Sequence, residues 1–252
     1  MTCRGCRGDA PTFEITTAFQ PIFDLEAREV YAYEALVRGR DGEGAAEVLE
    51  QVTDDNRYAF DQACRVAAIR NAVKAGILQT PAKLSINFMP NAVYSPLACI
   101  RLTMQTAVEC LFPPRRLIFE FTENEKIDTE HTRGIVDAYR GLGFETAIDD
   151  FGAGHTGLSL LANLQTDALK LDMALVRGVD SSRARQTVIA GLLRIAAELG
   201  MRTIAEGVET EAELHILAKL GVRYVQGYLL ARPAVGTLPT VNLGSLPVAA
   251  AA

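Results

Sequence analysis

The 252-residue chain has no tryptophan, three histidines, five cysteines and no run of positive charge. Each shortage closes a class of function. His131, His155 and His215 are too few for a histidine-rich zinc site, and Cys3-x-x-Cys6 lacks the second pair that four-ligand zinc binding needs. That motif reads either as a redox or intersubunit metal element or as part of a solvated tail, while Cys64, Cys99 and Cys110 fall in apolar helical patterns. A formal charge of −6 without a basic patch leaves no electrostatic footprint for nucleic acid, so an anionic substrate would need a cation to bridge it. No apolar run reaches the roughly 18 residues of a spanning helix. The opening MTCRGCRGDAPT carries charge where a signal peptide would be apolar, so a cytoplasmic chain without membrane attachment is expected.

What is present is an alternation. Eight short apolar runs, ITTAFQPIF, VYAYEALV, AKLSINF, RLIFEFTE, FETAIDDF, DALKLD, RTIAEG and RYVQGY, read as strands. Helical periodicity appears near 56–76, 98–110, 128–142, 156–164, 182–200 and 210–220. Strands alternating with helices imply a largely parallel sheet. The first two runs are joined by DLEAREV, too short for a helical crossover, which predicts one antiparallel hairpin. Nothing marks an internal linker, so one domain is expected over 13–238, between a polar tail at 1–12 and a small-residue, proline-containing tail at 239–252.

Nearly every strand ends in a polar residue that its apolar body does not call for: Glu34, Asn87, Glu120 with Glu123, Asp149 with Asp150, Lys170 with Asp172, Glu206 and Gln226. An open doubly wound sheet needs such residues only at its switch point. A closed (β/α)8 barrel gathers the C-terminal ends of all its strands around one site, and fits better. A ring of acids would repel itself without cations, and hard oxygen donors suit magnesium or manganese. Asp149 and Asp150 match a carboxylate bridging two metal ions with a neighbour on the second, a layout for in-line displacement at phosphorus. Gly152, Gly154 and Gly157 spell the dinucleotide-binding G-x-G-x-x-G, but two aspartates directly before them would repel a pyrophosphate, so that match is a decoy.

FQPIFDL, YEALVRG, SINF, FEFTEN, IDDFGAG, LKLD, AEGVET and VQGY, in this order over about residues 15–235, resemble the signature stretches of the EAL-domain family of bacterial cyclic di-GMP phosphodiesterases. The resemblance implies a modified (β/α)8 TIM-like barrel with one antiparallel strand, and hydrolysis of cyclic di-GMP to linear pGpG. It thereby implies a place in bacterial second-messenger signalling and biofilm control. It implies Mg2+ or Mn2+, two per site, with Ca2+ inhibitory. Glu34, Asn87, Glu120 and Asp149 would hold one ion, and Asp149, Asp150 and, directly or through water, Glu206 the other. Lys170 would contact the attacking water, Glu206 is the candidate base, and Glu123 would brace the loop at 150–157. Gln20, Leu36, Arg38, Asp172 and Gln226 would face the substrate. A homodimer and a sensory or cyclase partner protein are implied, with neither nucleic acid nor membrane. The alternative within the same fold is a cyclic di-GMP sensor without catalysis, or a protein-interaction module. One stretch departs from the pattern: His155, Thr156 and Gly157 replace an aromatic and two serines, and Gly157 adds backbone freedom where a hydroxyl is usual.

Overall fold

Period-two alternation decides the architecture, because successive side chains of a strand point to opposite faces. A computed structural model describes residues 13–122, 128–153, 157–242 and 244. Its strands are β1 (Ile15–Asp24), β2 (Glu29–Gly39), β3 (Lys83–Asn87), β4 (Leu117–Thr122), β5 (Glu145–Phe151), β6 (Ala168–Leu171), β7 (Arg202–Ala205), β8 (Tyr224–Val225) and β9 (Ala234–Val235). From β2 to β8 each strand is parallel to the next. β1 closes the ring, running antiparallel to β2 on one side and to β8 on the other. The closed barrel with one reversed strand is therefore the observed fold. The two-residue β9 adds outside it, pairing antiparallel with β1.

The described helices are α1 (Ala45–Leu49), α2 (Arg57–Lys74), α3 (Pro96–Cys99), α4 (Arg101–Glu109), α5 (Thr129–Gly141), α6 (Gly157–Asn163), α7 (Met173–Val176), α8 (Arg183–Glu198) and α9 (Glu211–Leu220). Local chemistry sets their starts. The Thr210 hydroxyl accepts from Glu213 N while the Glu213 carboxylate accepts from Thr210 N, a capping box that opens α9. Asp128 and Ser182 cap α5 and α8 in the same sense. The first hairpin turns on Asp24, whose Oδ1 accepts from the N–H groups of Glu26 and Ala27.

Inside the barrel, alternation stacks three layers. The middle is apolar: Ile22, Ala32, Ile118, Ala147, Ala168 and Ile204 form one buried cluster. At the N-terminal mouth Glu145 accepts from Tyr31 Oη at 2.9 Å, Lys83 Nζ at 2.5 Å and Arg202 Nη2 at 2.7 Å, a polar plug of the kind that serves stability. At the C-terminal mouth stand Gln20, Glu34, Asn87, Glu120, Asp149, Lys170, Glu206 and Gln226. The opposite strand faces pack on the helices, with Phe88, Phe119, Tyr139 and Phe144 at ring separations of 4.9–6.2 Å. Past β9 the chain stays in contact with the body, since Pro239 O accepts from Tyr33 Oη and Asn242 N donates to Leu230 O.

Candidate active site

Lys170 lies at the centre of the C-terminal layer with no exposed surface. Its Nζ is 2.8 Å from Glu206 Oε1, 2.9 Å from Glu120 Oε2, 3.0 Å from Asp149 Oδ1 and 3.5 Å from Glu34 Oε2. Four strands thus deliver four carboxylates to one ammonium. Asn87 Nδ2 donates to Glu34 Oε1 at 3.2 Å, and Gln226 Nε2 to Glu34 Oε2 at 2.7 Å and Gln20 Oε1 at 3.2 Å. Gln20 in turn donates to Ala231 O.

Asp149 and Asp150 are neighbours on β5, and strict alternation would point them to opposite faces. β5 breaks the alternation there: Ile148 pairs with Leu169 and Phe151 with Leu171, so β5 carries one extra residue. Asp150 takes φ 55°, a left-handed conformation that costs a non-glycine residue about 1–2 kcal/mol, and its N–H donates to Asp149 Oδ1. The bulge turns Asp150 back, and ligand oxygens of Asp149, Asp150 and Glu206 come within 4.8 Å of one another. Gly152 follows at φ 101°, where a Cβ would meet Leu175 at 2.4 Å. Glycine there serves a turn pressed against α7, and the aspartates before it line a cavity.

Burial drives the electrostatics. It pushes the Glu120 carboxyl up to about 8, with Glu34 and Asp149 adding to the rise and Lys170 opposing it. Glu206 is raised well above the usual carboxylate range by burial and by Asp149, and Asp150 rises to about 6 for the same reasons. Lys170 is held charged because Asp149, Glu120, Glu206 and Glu34 outweigh its own desolvation. Five acids face one lysine, and Glu120 Oε1 is buried with no hydrogen-bond partner. Uncompensated buried charge is costly, and the donors are hard oxygens, so the arrangement fits divalent cations such as magnesium, manganese or calcium.

Above this layer opens a cavity of about 420 Å³, whose lining combines polar Glu34, Asn87, Thr122, Asp149 and Asp150 with apolar Leu36, Leu49, Phe60 and Cys64. Of the residues expected to face substrate, Leu36 lines it. Gln226 is buried with its amide on Glu34 and Gln20, and Gln20 is buried on Gln226 and Ala231. Arg38 folds back, Nη1 donating to Val37 O at 2.7 Å. The Asp172 carboxylate caps α7 through Ala174 N at 2.7 Å. Glu123, His155, Thr156, Cys3 and Cys6 lie outside the described residues. Gly157 opens α6 at φ 49°, so the glycine meets a backbone requirement that a serine would strain. Sequence reading missed Asp61, a buried carboxylate on α2 that also lines the cavity and whose partner Arg65 stands one turn on. The i, i+4 spacing of opposite charges within an apolar helix face was the available signal.

The family model described as "EAL domain" matches residues 11–233. A blue light- and temperature-regulated antirepressor, BluF of Escherichia coli K12, is 28% identical over 92% of this chain and 57% of its own length. Cyclic di-GMP phosphodiesterase PA2567 of Pseudomonas aeruginosa is 30% identical over 85% of this chain and 38% of its own. The chain thus spans about half or less of those curated relatives. Among solved structures, a standalone versatile EAL protein from Vibrio cholerae O395 in its c-di-GMP-bound form is 46% identical, with TM-score 0.90 over 94% of this chain and 100% of that one. Klebsiella pneumoniae BlrP1 in a calcium and cyclic di-GMP complex is 32% identical, with TM-score 0.84 over 92% of this chain and 60% of that one.

Proposed function

The chain belongs to the EAL-domain family, and from that premise we propose that it is a metal-dependent phosphodiesterase that hydrolyses cyclic di-GMP to linear pGpG. Water adds across one phosphodiester bond, its hydroxyl going to phosphorus and a proton to the departing sugar oxygen. The observation that carries the reading is the convergence of carboxylates around Lys170, with Glu34, Asp149 and Asp150 lining the cavity, since an anionic diester can approach those acids only over cations.

Glu34, Asn87, Glu120 and Asp149 would hold one divalent ion, and Asp149, Asp150 and Glu206 a second. When bound there, Mg2+ or Mn2+ would supply Lewis acidity and offset the negative charge of the phosphate. The chain's own groups do the rest. Lys170, fixed by its carboxylates, orients the attacking water and stabilises the charge that develops at phosphorus. Glu206 takes the water's proton at a carboxylate oxygen, within hydrogen-bond reach of Lys170. Gln20 and Gln226 hold Glu34 in place, and the Arg38 guanidinium exchanges the Val37 carbonyl for a substrate phosphate. Leu36 packs on the ligand at the cavity wall, and Asp172 contacts it from the end of β6.

In the cell this reading makes the protein a cytoplasmic homodimer that lowers a second messenger tied to biofilm formation, with input from a sensory or cyclase partner. No helix among the described residues is long and apolar enough to cross a membrane. The antirepressor among the relatives supports a second reading, in which the barrel binds the nucleotide or a protein without cutting anything. The test is incubation of the purified chain with cyclic di-GMP and Mg2+ or Mn2+, with products separated by chromatography. Linear pGpG is expected. Intact nucleotide alongside tight binding by calorimetry overturns the catalytic reading in favour of the second.

A further inference from the structure

Behind β3 and β4, α2 carries Asp61 and Arg65 one turn apart. Arg65 Nη2 lies 2.7 Å from Asp61 Oδ2, with side-chain exposures of 0% and 1%. Arg65 Nη1 donates to the Tyr139 hydroxyl on α5 at 2.9 Å. Its guanidinium carbon stands 5.5 Å from the Phe88 ring centroid and 5.6 Å from that of Phe119. The other oxygen of Asp61, Oδ1, accepts from Met89 N at 3.0 Å. These contacts flank two floor residues in the chain itself. Asn87 directly precedes Phe88 and Met89, and Glu120 directly follows Phe119. Phe88 N also donates to Glu120 O at 2.9 Å, tying the two strand ends together.

Stability alone is a poor account of this pair. Apolar side chains of similar size in place of a buried ion pair often leave a protein equally or more stable. What they could not do is accept the Met89 N–H, clamp the Phe88 ring, and so fix where the backbone turns after Asn87.

We propose that Asp61 and Arg65 are positioning residues for the cation site: they hold the 87–89 turn and the end of β4 so that the Asn87 amide and the Glu120 carboxylate converge with Glu34 and Asp149. The inference rests on the reading of those four side chains as holding a divalent ion. Groups standing behind metal ligands typically change metal affinity or activity by roughly 10–100-fold when replaced.

Two variants of the full chain separate positioning from stability because they rank in opposite orders. Asp61→Leu combined with Arg65→Met leaves no unpaired charge but strands the Met89 N–H and takes the donor from the Tyr139 hydroxyl. It should melt above Asp61→Asn and bind Mn2+ roughly 10–100-fold more weakly than wild type by calorimetry. Asp61→Asn leaves Arg65 without its carboxylate yet keeps an oxygen for Met89 N. It should melt lower while its Mn2+ affinity stays near wild type. If affinity instead follows melting temperature in both variants, the pair is merely structural and the proposal falls. Should Asp61→Asn fail to fold, the double variant decides alone, and wild-type Mn2+ affinity in it overturns the proposal. Wild-type protein that binds Mn2+ but leaves cyclic di-GMP intact sinks the phosphodiesterase reading, and the affinity comparison still decides the role of the pair. Wild-type protein that binds no Mn2+ overturns the cation site and the positioning role with it.

Discussion

The ammonium of Lys170 lies 2.9 Å from Oε2 of Glu120, and neither side chain has more than 1% of its surface exposed. One buried cation therefore holds together a carboxylate cluster that would otherwise repel itself. In metal-free protein it stands as the counter-ion of that cluster, and under the proposed mechanism it would also serve the attacking water.

Lys170→Met separates these roles. With a chelator present the variant should melt below wild type, because four carboxylates lose the ammonium they share, and added Mn2+ should raise its melting temperature by more than it raises the wild type's. Turnover of cyclic di-GMP should drop by roughly 10²-fold or more, the scale for removing one preorganised charge. Near-normal turnover would discard the assigned role.

Asp149→Ala and Glu34→Ala remove acids from the same cluster, so the metal-free variants should fold and melt no lower than wild type as like-charge repulsion falls. Hydrolysis should disappear, and Mn2+ binding with it, by chromatography and calorimetry. A variant that unfolds would show the acid to be structural, and one that still turns over would free it from the metal site.

The barrel was legible in the sequence because its determinants are local. Eight apolar runs at βα spacing and a link too short for a crossover suffice for the ring and its reversed strand. The floor residues were legible because polar residues ending apolar strands stand out against their surroundings. What escaped was non-local. Nothing in IDDFG announces that a bulge at Asp150 turns two adjacent aspartates to one side, since the extra residue is defined only against β6. Gln20 and Gln226 read as facing the ligand, and the hydrogen bonds that tie Gln226 to Gln20 and to Glu34 depend on β1 closing against β8. Gly157 read as a lost hydroxyl, whereas its φ of 49° makes a serine there a strain of about 1 kcal/mol. Arg65 was hidden because a charged residue on a long helix is ordinarily solvated.

Barrel closure gives a prediction in pH. β1 and β8 pair through only two residue positions, reinforced by Arg223, whose Nε and Nη2 both donate to the Asp24 carboxylate. Burial would raise the Asp24 carboxyl, but the hydrogen bonds from Arg223, Ala27 and Glu26 prevail and hold it below its ordinary 3.8. A carboxyl with a depressed folded pKa contributes stability above its unfolded pKa, and that contribution is lost as pH falls through the folded value. Asp24→Asn should therefore cost about 1 kcal/mol at pH 7, discounted for the half-exposed Arg223. In urea titrations the gap from wild type should narrow once pH drops below 3.8. A gap of constant size down to low pH would assign the effect to geometry alone.

Metal identity provides the sharpest separation of enzyme from binding module, because both need the carboxylate floor to be neutralised and only one needs a water correctly aimed at phosphorus. Magnesium keeps near-octahedral geometry at about 2.0–2.1 Å, whereas calcium takes more oxygens at about 2.3–2.6 Å in looser arrangements. Calcium should therefore fill the cluster and support nucleotide binding. Its longer bonds would shift the reacting groups relative to Lys170 and Glu206, whose places are fixed by the strands, and a misplacement near 1 Å can cost on the order of 10²-fold. Calcium is also the weaker Lewis acid. Linear pGpG should accumulate with magnesium or manganese, hardly at all with calcium, and not at all after chelation, while calorimetry reports nucleotide binding with every ion. Excess calcium added to a magnesium reaction should slow it by occupying the same oxygens. Equal turnover with calcium and magnesium would show that the floor does not discriminate by geometry, and an intact nucleotide with all three ions would make this barrel a receptor for cyclic di-GMP instead of an enzyme that consumes it.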